Sequence, residues 1–496
     1  MLTNPFYKLT KNRLLCAAFF ILCCAIIGKA QDVEIKIKIL PSSRVRVEGK
    51  FRASKNIEAS REISFPQNYA DVSELGRRIE NLELFDENGA KIEFKKLSAG
   101  EFQAEKIPAR FDYEVKTDVP ENPAFEAHVS WLAANQGILM TGDLLPEWKS
   151  VRKISGKIIF EIPANWKISS SETKMGENVF AVADVEKAIF LVGENFRETA
   201  TRIDKTNLNL ATSGEWQFSD TEAAEMAASI LTEYRKMFGE IPVKQAQIIL
   251  LPFPSRAENP DRWRAETRGA TVTIISGALP FKSQALQRLH EQLRHEIFHL
   301  WIPNAVNLTG NYDWFYEGFT VYQALRTGVW TNQIRFEDYL NTLAAAFDLA
   351  KNQNISLVEM SNRRWLGGND SVYARGMMAA FLCDLAMLNQ SKGKRSLTEI
   401  FQKVYQKYHV SDLQTDGNTA VLEILKSYPE LQIIIQNYIK GAAKIEWQSE
   451  LNQFGIETFT NNNETRLKVA SELSGQQKDL LDKLGYNQWR KLLRAK

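Results

Sequence analysis

From Gln31 to about residue 205 apolar and polar positions alternate along the chain. The stretch "VEIKIKI" sets Val33, Ile35, Ile37 and Ile39 against Glu34, Lys36 and Lys38. That is the period of a strand with one buried face. "SRVRVEG", "KIIFEIP" and "KAIFLVG" repeat the pattern, with Pro and Gly between them. Many short strands and no long helical pattern predict an all-β sandwich-like domain over residues 31–205.

The period changes at "WQFSDTEAAEMAASILTEYRKMFGEIP". Ser219 and Glu222 have the spacing of a capping box, and Gly239 stands where a helix ends in a left-handed residue. "QAQIILLPF" reads as a buried strand and "RGATVTIISG" as another at a sheet edge. After Pro280, Ser283 is placed to cap a helix running to about Trp301, which Pro303 stops. Ser396 and Glu399 form a second capping-box pattern ahead of "FQKVYQKY". The chain therefore divides into an α+β unit over 206–330 and a helical subdomain over 331–460. "NNNE" at 461–464 reads as a linker to a short helical tail ending at 496.

One helix carries chemistry. At about 100° per residue, Leu286, Leu289, Leu293, Ile297 and Leu300 form one stripe of the segment 284–301, with His295 and His299 opposite it. Two imidazoles at i and i+4 converge on one tetrahedral ion, and the carboxylate at i+1, Glu296, stays near the ion but off it. Taken by itself the pair is also compatible with two solvated histidines. His290 lies toward the leucine stripe and reads as structural. Downstream, "NYDWFYEGFTVYQALRTG" predicts a second helix, N-capped by Asp313 and ended by Gly328, with Glu317 in its second turn. Residues 300–316 are enough chain to return this helix onto the first. A carboxylate among Trp314, Phe315, Tyr316 and Phe319 would cost several kcal/mol if buried unpaired, and a cation opposite it removes that cost.

Composition narrows the class. A chain of 496 residues suggests two to four domains. Net charge is +2, which gives no reason to expect a nucleic-acid partner. Lys8, Lys11 and Arg13 precede an apolar run from Leu14 to Ile27, followed by Gly28 and Ala30. This is the layout of a secretory signal peptide over residues 1–30, and the run is short for a membrane span. The expectation is an exported protein, periplasmic or secreted, with no stable span once the leader is removed. Cys16, Cys23 and Cys24 lie in that leader, so the mature chain would keep Cys383 alone and form no internal disulfide.

"HEIFH", "WFYEGFT" and "VYARGMMAAFLCDL" together resemble the gluzincin zinc metallopeptidases. "WFYEGFT" and the helix led by Tyr-x-Arg-Gly look most like the glycyl aminopeptidase-type branch. The spacing from His299 to Glu317 is closer to the aminopeptidase N-type branch. The resemblance implies a multidomain architecture, with the β domain followed by a thermolysin-like α+β catalytic domain and an α-helical C-terminal region. It implies one Zn²⁺ per chain held by His295, His299 and Glu317, with Glu296 as general base. Tyr373 would aim its hydroxyl at the tetrahedral intermediate. The substrate would be a peptide or protein lying along "TVTIIS".

The chain departs from both branches at one point. They carry a glutamate that grips the substrate's amino group on a strand ahead of the zinc helix. Here "GATVT" aligns with that strand, which puts Gly269 and Ala270 in the substrate-binding position and Val272 where the glutamate belongs. Glu266 is a possible substitute. The expected activity is therefore an aminopeptidase or a short-peptide endopeptidase, and the alternative is a zinc-bound but inactive peptide-binding module.

Overall fold

The computed structural model describes residues 31–51, 57–150, 153–254, 262–364, 369–411 and 414–488. The predicted leader at 1–30 lies outside the described residues. In the first unit an eight-stranded sheet faces a four-stranded one. The strand Val33–Leu40 lies within the larger sheet, antiparallel to Arg44–Phe51 and parallel to Gly156–Glu161. Val33, Ile35 and Ile37 are buried, while Lys36 on the other face pairs with Glu161 at 2.6 Å.

The four-stranded sheet is buried on both faces. Leu139, Phe190 and Val192 turn toward the larger sheet. Ile138, Met140, Ile189 and Leu191 turn the other way, against Ala211, Ile249 and Ile275 of the second unit. "KAIFLVG" is thus a fully buried strand and not a half-buried one. Its continuous apolar run is what a middle layer requires.

The second unit is built on strands β1 (Arg197–Ile203), β2 (Thr206–Thr212), β3 (Gln245–Pro252), β4 (Trp263–Arg268) and β5 (Thr271–Ser276), in the order β1-β2-β3-β5-β4. The β1–β2 hairpin belongs to this sheet, so the sheets divide before Arg197 and not at 205. Alternation marks a half-buried strand but does not say which sheet receives it. β5 is parallel to β3 and antiparallel to β4. "TVTIIS" is therefore an inner strand, and the edge is β4.

Helix α1 (Asp220–Phe238) starts with the expected capping box at Ser219 and Glu222 and ends at Gly239 with φ 90°. Helix α2 (Lys282–Phe298) buries Leu289, Leu293 and Ile297. Ser283 does not cap it. Phe281 is the N-cap, without a side-chain bond, and Ser283 lies inside the first turn. A π-helical turn, Trp314–Phe319, leads into α3 (Thr320–Trp330). Gly328 lies inside α3 and does not end it: a Cβ there would sit 2.0 Å from Arg294 Nη1, so this glycine admits a neighbouring guanidinium.

Helices α4 (Phe336–Ala350), α5 (Asn369–Gln390) and α6 (Thr398–Tyr408) complete the helical part. The second capping box does not form. α6 starts after Leu397, and the Glu399 carboxylate accepts from the Tyr428 hydroxyl at 3.0 Å. Nor is "NNNE" a linker. It holds the turn of a hairpin between Ile456–Asn461 and Glu464–Val469, with Asn462 and Asn463 at φ 49° and 64°. Asparagine tolerates that left-handed pair better than other side chains. Thr465 then docks the hairpin on α4, its backbone N–H and hydroxyl donating to Asp348 at 2.8 and 2.6 Å.

Candidate metal centre

α2 and its C-cap residue present His295 and His299 one turn apart, on the side away from the apolar stripe. Their Nε2 atoms lie 3.0 Å from each other. The π-helical turn brings Glu317 against both, with Oε2 3.0 Å from His295 Nε2 and 3.4 Å from His299 Nε2. A π turn widens the helix by one residue and recurs at functional sites. Among the described residues these three form the one cluster of His, Cys, Asp or Glu donors that could hold a metal ion.

The donor set fits zinc. A tetrahedral ion with bonds of ~2.0–2.1 Å keeps its donors roughly 3.3 Å apart, which matches the observed separations. The tautomer of His299 fits too. Its Nδ1 lies 2.9 Å from the Ile302 carbonyl oxygen, which can only accept, so Nδ1 carries the proton and Nε2 keeps its lone pair for the centre.

Electrostatics divide the nearby carboxylates. Burial opposes the charged form of Glu317, but Arg364 and the two imidazoles outweigh it and hold its pKa well below the usual range. Burial raises Glu296, although both histidines pull the other way. Glu296 Oε2 accepts from the Thr267 hydroxyl of β4 at 2.7 Å. Asn304 ties the same elements together, its amide donating to Thr267 O at 2.9 Å and to His299 O at 3.1 Å while its Oδ1 accepts from Gly269 N at 2.9 Å.

Tyr373, in the first half of α5, places its ring 6.1 Å from that of His295. Burial and the Glu317 carboxylate push its pKa well above the ordinary phenol value, so the hydroxyl keeps its proton. Asp313 does not cap a helix with its side chain. Its Oδ2 instead accepts from Arg364 Nη1 at 3.1 Å. His290 is buried and outside the cluster, as its position near the leucine stripe implied; burial and Arg294 lower its pKa to about 3.

The proposed substrate-binding positions immediately follow β4. Gly269 and Ala270 form the β4–β5 turn, and Gly269 requires its φ of 58° there. Val272 is buried in the core. Glu266, on the opposite side of β4 from Thr267, is engaged elsewhere. Its carboxylate meets His128 Nδ1 at 2.5 Å and Arg268 Nε at 3.2 Å, and accepts from the Tyr69 hydroxyl. Burial alone would raise its pKa, but Arg268 and His128 bring it down to about 2. Sequence reasoning missed Thr267, Asn304 and Arg364. In "NRRW" nothing distinguishes buried Arg364 from its exposed neighbour Arg363.

Comparison with known proteins bears on the fold. Residues 32–189 match the peptidase M61 N-terminal domain family. No curated protein matches the chain. Among solved structures the fold is similar to an aminopeptidase N family protein from Idiomarina loihiensis, with TM-score 0.72 and 17% identity over 90% of this chain and 82% of that one. It is also similar to an M1 zinc metallopeptidase from Deinococcus radiodurans, a mutant bound to a Tyr-Ser-Ala substrate. That match has TM-score 0.58 and 14% identity over 84% of this chain and 95% of that one. The β-rich first unit and the helical C-terminal region are thus arranged as in the M1 metallopeptidases, which supports a gluzincin-type fold.

Proposed function

We propose that this chain is an exported zinc-dependent metallopeptidase that hydrolyses peptide bonds. The observation that carries the reading is the convergence of His295 Nε2, His299 Nε2 and Glu317 Oε2 beside the buried carboxylate of Glu296. Zinc, when bound by these three side chains, supplies Lewis acidity and lowers the pKa of water to near 7.

The chain's own groups do the rest. Thr267 fixes one oxygen of Glu296, leaving the other to take a proton from the water that attacks the peptide carbonyl. The raised pKa of Glu296 suits it to pass that proton on to the leaving amine. Tyr373 donates its hydroxyl proton in a hydrogen bond to the developing oxyanion. Edge strand β4, one side of which is unpaired in the sheet order, offers main-chain groups to an extended substrate.

Of the two modes of cleavage, endo-cleavage of short peptides is favoured. Val272 is in the core and Glu266 is committed to Arg268 and His128, so neither grips a free amino group. The same absence is the argument for an inactive peptide-binding module, and the Thr267 bond that aims Glu296 argues against that reading. The test is a mixed library of free and amino-acetylated peptides given to wild type and Glu296→Gln. The expected result is one zinc in both proteins, hydrolysis by wild type only, and cleavage of acetylated peptides. Zinc without hydrolysis in wild type favours the binding module.

A further inference from the structure

We infer that Arg364 is a positioning residue that sets both the ligand geometry of Glu317 and the aim of the Tyr373 hydroxyl. The inference rests on the metallopeptidase reading of the same site. Arg364 follows the short helix Leu357–Asn362 and is 7% exposed. Its Nη1 lies 3.1 Å from Asp313 Oδ2 and 3.1 Å from Glu317 Oε1, and its Nη2 donates to Tyr373 Oη at 2.8 Å.

These contacts divide the work of each partner. Glu317 shows Oε2 to the imidazoles and Oε1 to the guanidinium, so Arg364 occupies the oxygen that does not face the donor cluster. A carboxylate held on its outer oxygen presents the inner one in a fixed direction. Tyr373 Oη accepts from Arg364, which leaves its own O–H to point elsewhere. Asp313 supplies the second negative charge that offsets burial of the guanidinium. Arg364 spans the outer oxygen of a proposed ligand and the phenol of the proposed oxyanion donor.

The test compares Arg364→Gln, Arg364→Lys, Tyr373→Phe and the Arg364→Gln/Tyr373→Phe double variant. Each is checked for fold by circular dichroism and for zinc affinity by competition with a chelator. At saturating zinc, Arg364→Gln lowers kcat on the order of 10²-fold while KM stays within ~3-fold. The double variant is no more than ~3-fold slower than Tyr373→Phe alone, because the phenol is already lost. Zinc affinity falls ~10- to 100-fold in Arg364→Gln and is unchanged in Tyr373→Phe. Arg364→Lys restores the charge beside Glu317 without the two-pronged fork, so zinc affinity recovers and kcat does not. Multiplying effects in the double variant, or unchanged zinc affinity in Arg364→Gln, overturn the inference. A wild type that neither binds zinc nor cleaves peptide overturns the metallopeptidase reading instead.

Discussion

Gly318 and Gly376 face each other where the π-helical turn crosses α5. A Cβ on Gly376 would stand 2.6 Å from the Gly318 Cα and 3.0 Å from the Trp314 carbonyl oxygen. Two bare backbones in contact hold Tyr373, three residues before Gly376, against Glu317, one residue before Gly318. This is why the glycine of Tyr-x-Arg-Gly belongs to the site. Gly376→Ala must push the two elements apart, since the atoms a Cβ would meet are backbone atoms that cannot give way. The expected cost is about 1–3 kcal/mol of stability, with kcat at least ~10-fold lower at full zinc loading. Urea unfolding and single-turnover kinetics check the two parts, and a variant of wild-type activity contradicts the alignment argument.

Glu266 acts as a clasp between the two units, because Tyr69 and His128 belong to the first and Arg268 to β4. Glu266→Gln weakens a buried ion pair and is expected to destabilise the protein by about 3 kcal/mol in urea unfolding. It leaves the ratio of kcat/KM for free and acetylated peptides unchanged. A selective loss on free peptides would show that Glu266 grips the amino group after all.

His290 predicts a pH dependence. Its pKa is lowered to about 3 in the folded chain by burial and by Arg294, against about 6.5 when unfolded. The unfolded state therefore binds the proton first. The stability His290 contributes is complete above pH ~6.5 and declines as pH falls toward 3, with a slope approaching ~1.4 kcal/mol per pH unit. His290→Leu flattens that part of the stability curve between pH 4 and 6. Parallel curves for variant and wild type would contradict the assignment.

Asp384 is buried and serves three donors, with the Tyr322 hydroxyl at 2.6 Å, Arg326 Nη1 at 3.2 Å and Leu397 N at 2.8 Å. It ties α3, which continues from the Glu317 turn, to α5 and to the start of α6. Asp384→Ala leaves the Arg326 guanidinium buried without this partner and is expected to cost about 3–5 kcal/mol in urea unfolding. A loss under ~1 kcal/mol would show the network to be dispensable.

Local signals were legible where a short-range rule met no tertiary competitor. Val33, Ile35 and Ile37 follow the pleat, and Ser219 with Glu222 caps α1 as spaced. His295 in α2 and His299 at its C-cap fall where the wheel puts them, opposite Leu289 and Leu293. The same reasoning failed where a distant partner intervened. Glu399 goes to Tyr428 and not to a cap. Asp313 goes to Arg364, and Glu266 to residues nearly two hundred positions away in the case of Tyr69. The place of β4 at the edge, outside β5, is a matter of strand order that alternation does not encode.

The central claim is that His295, His299 and Glu317 share one zinc ion. It is tested most directly by anomalous diffraction at the zinc edge from crystals of a chain starting at Gln31. The account predicts one peak per chain, ~2.0–2.2 Å from His295 Nε2, His299 Nε2 and a Glu317 oxygen. A zinc-replete crystal with no peak among these three side chains would contradict it.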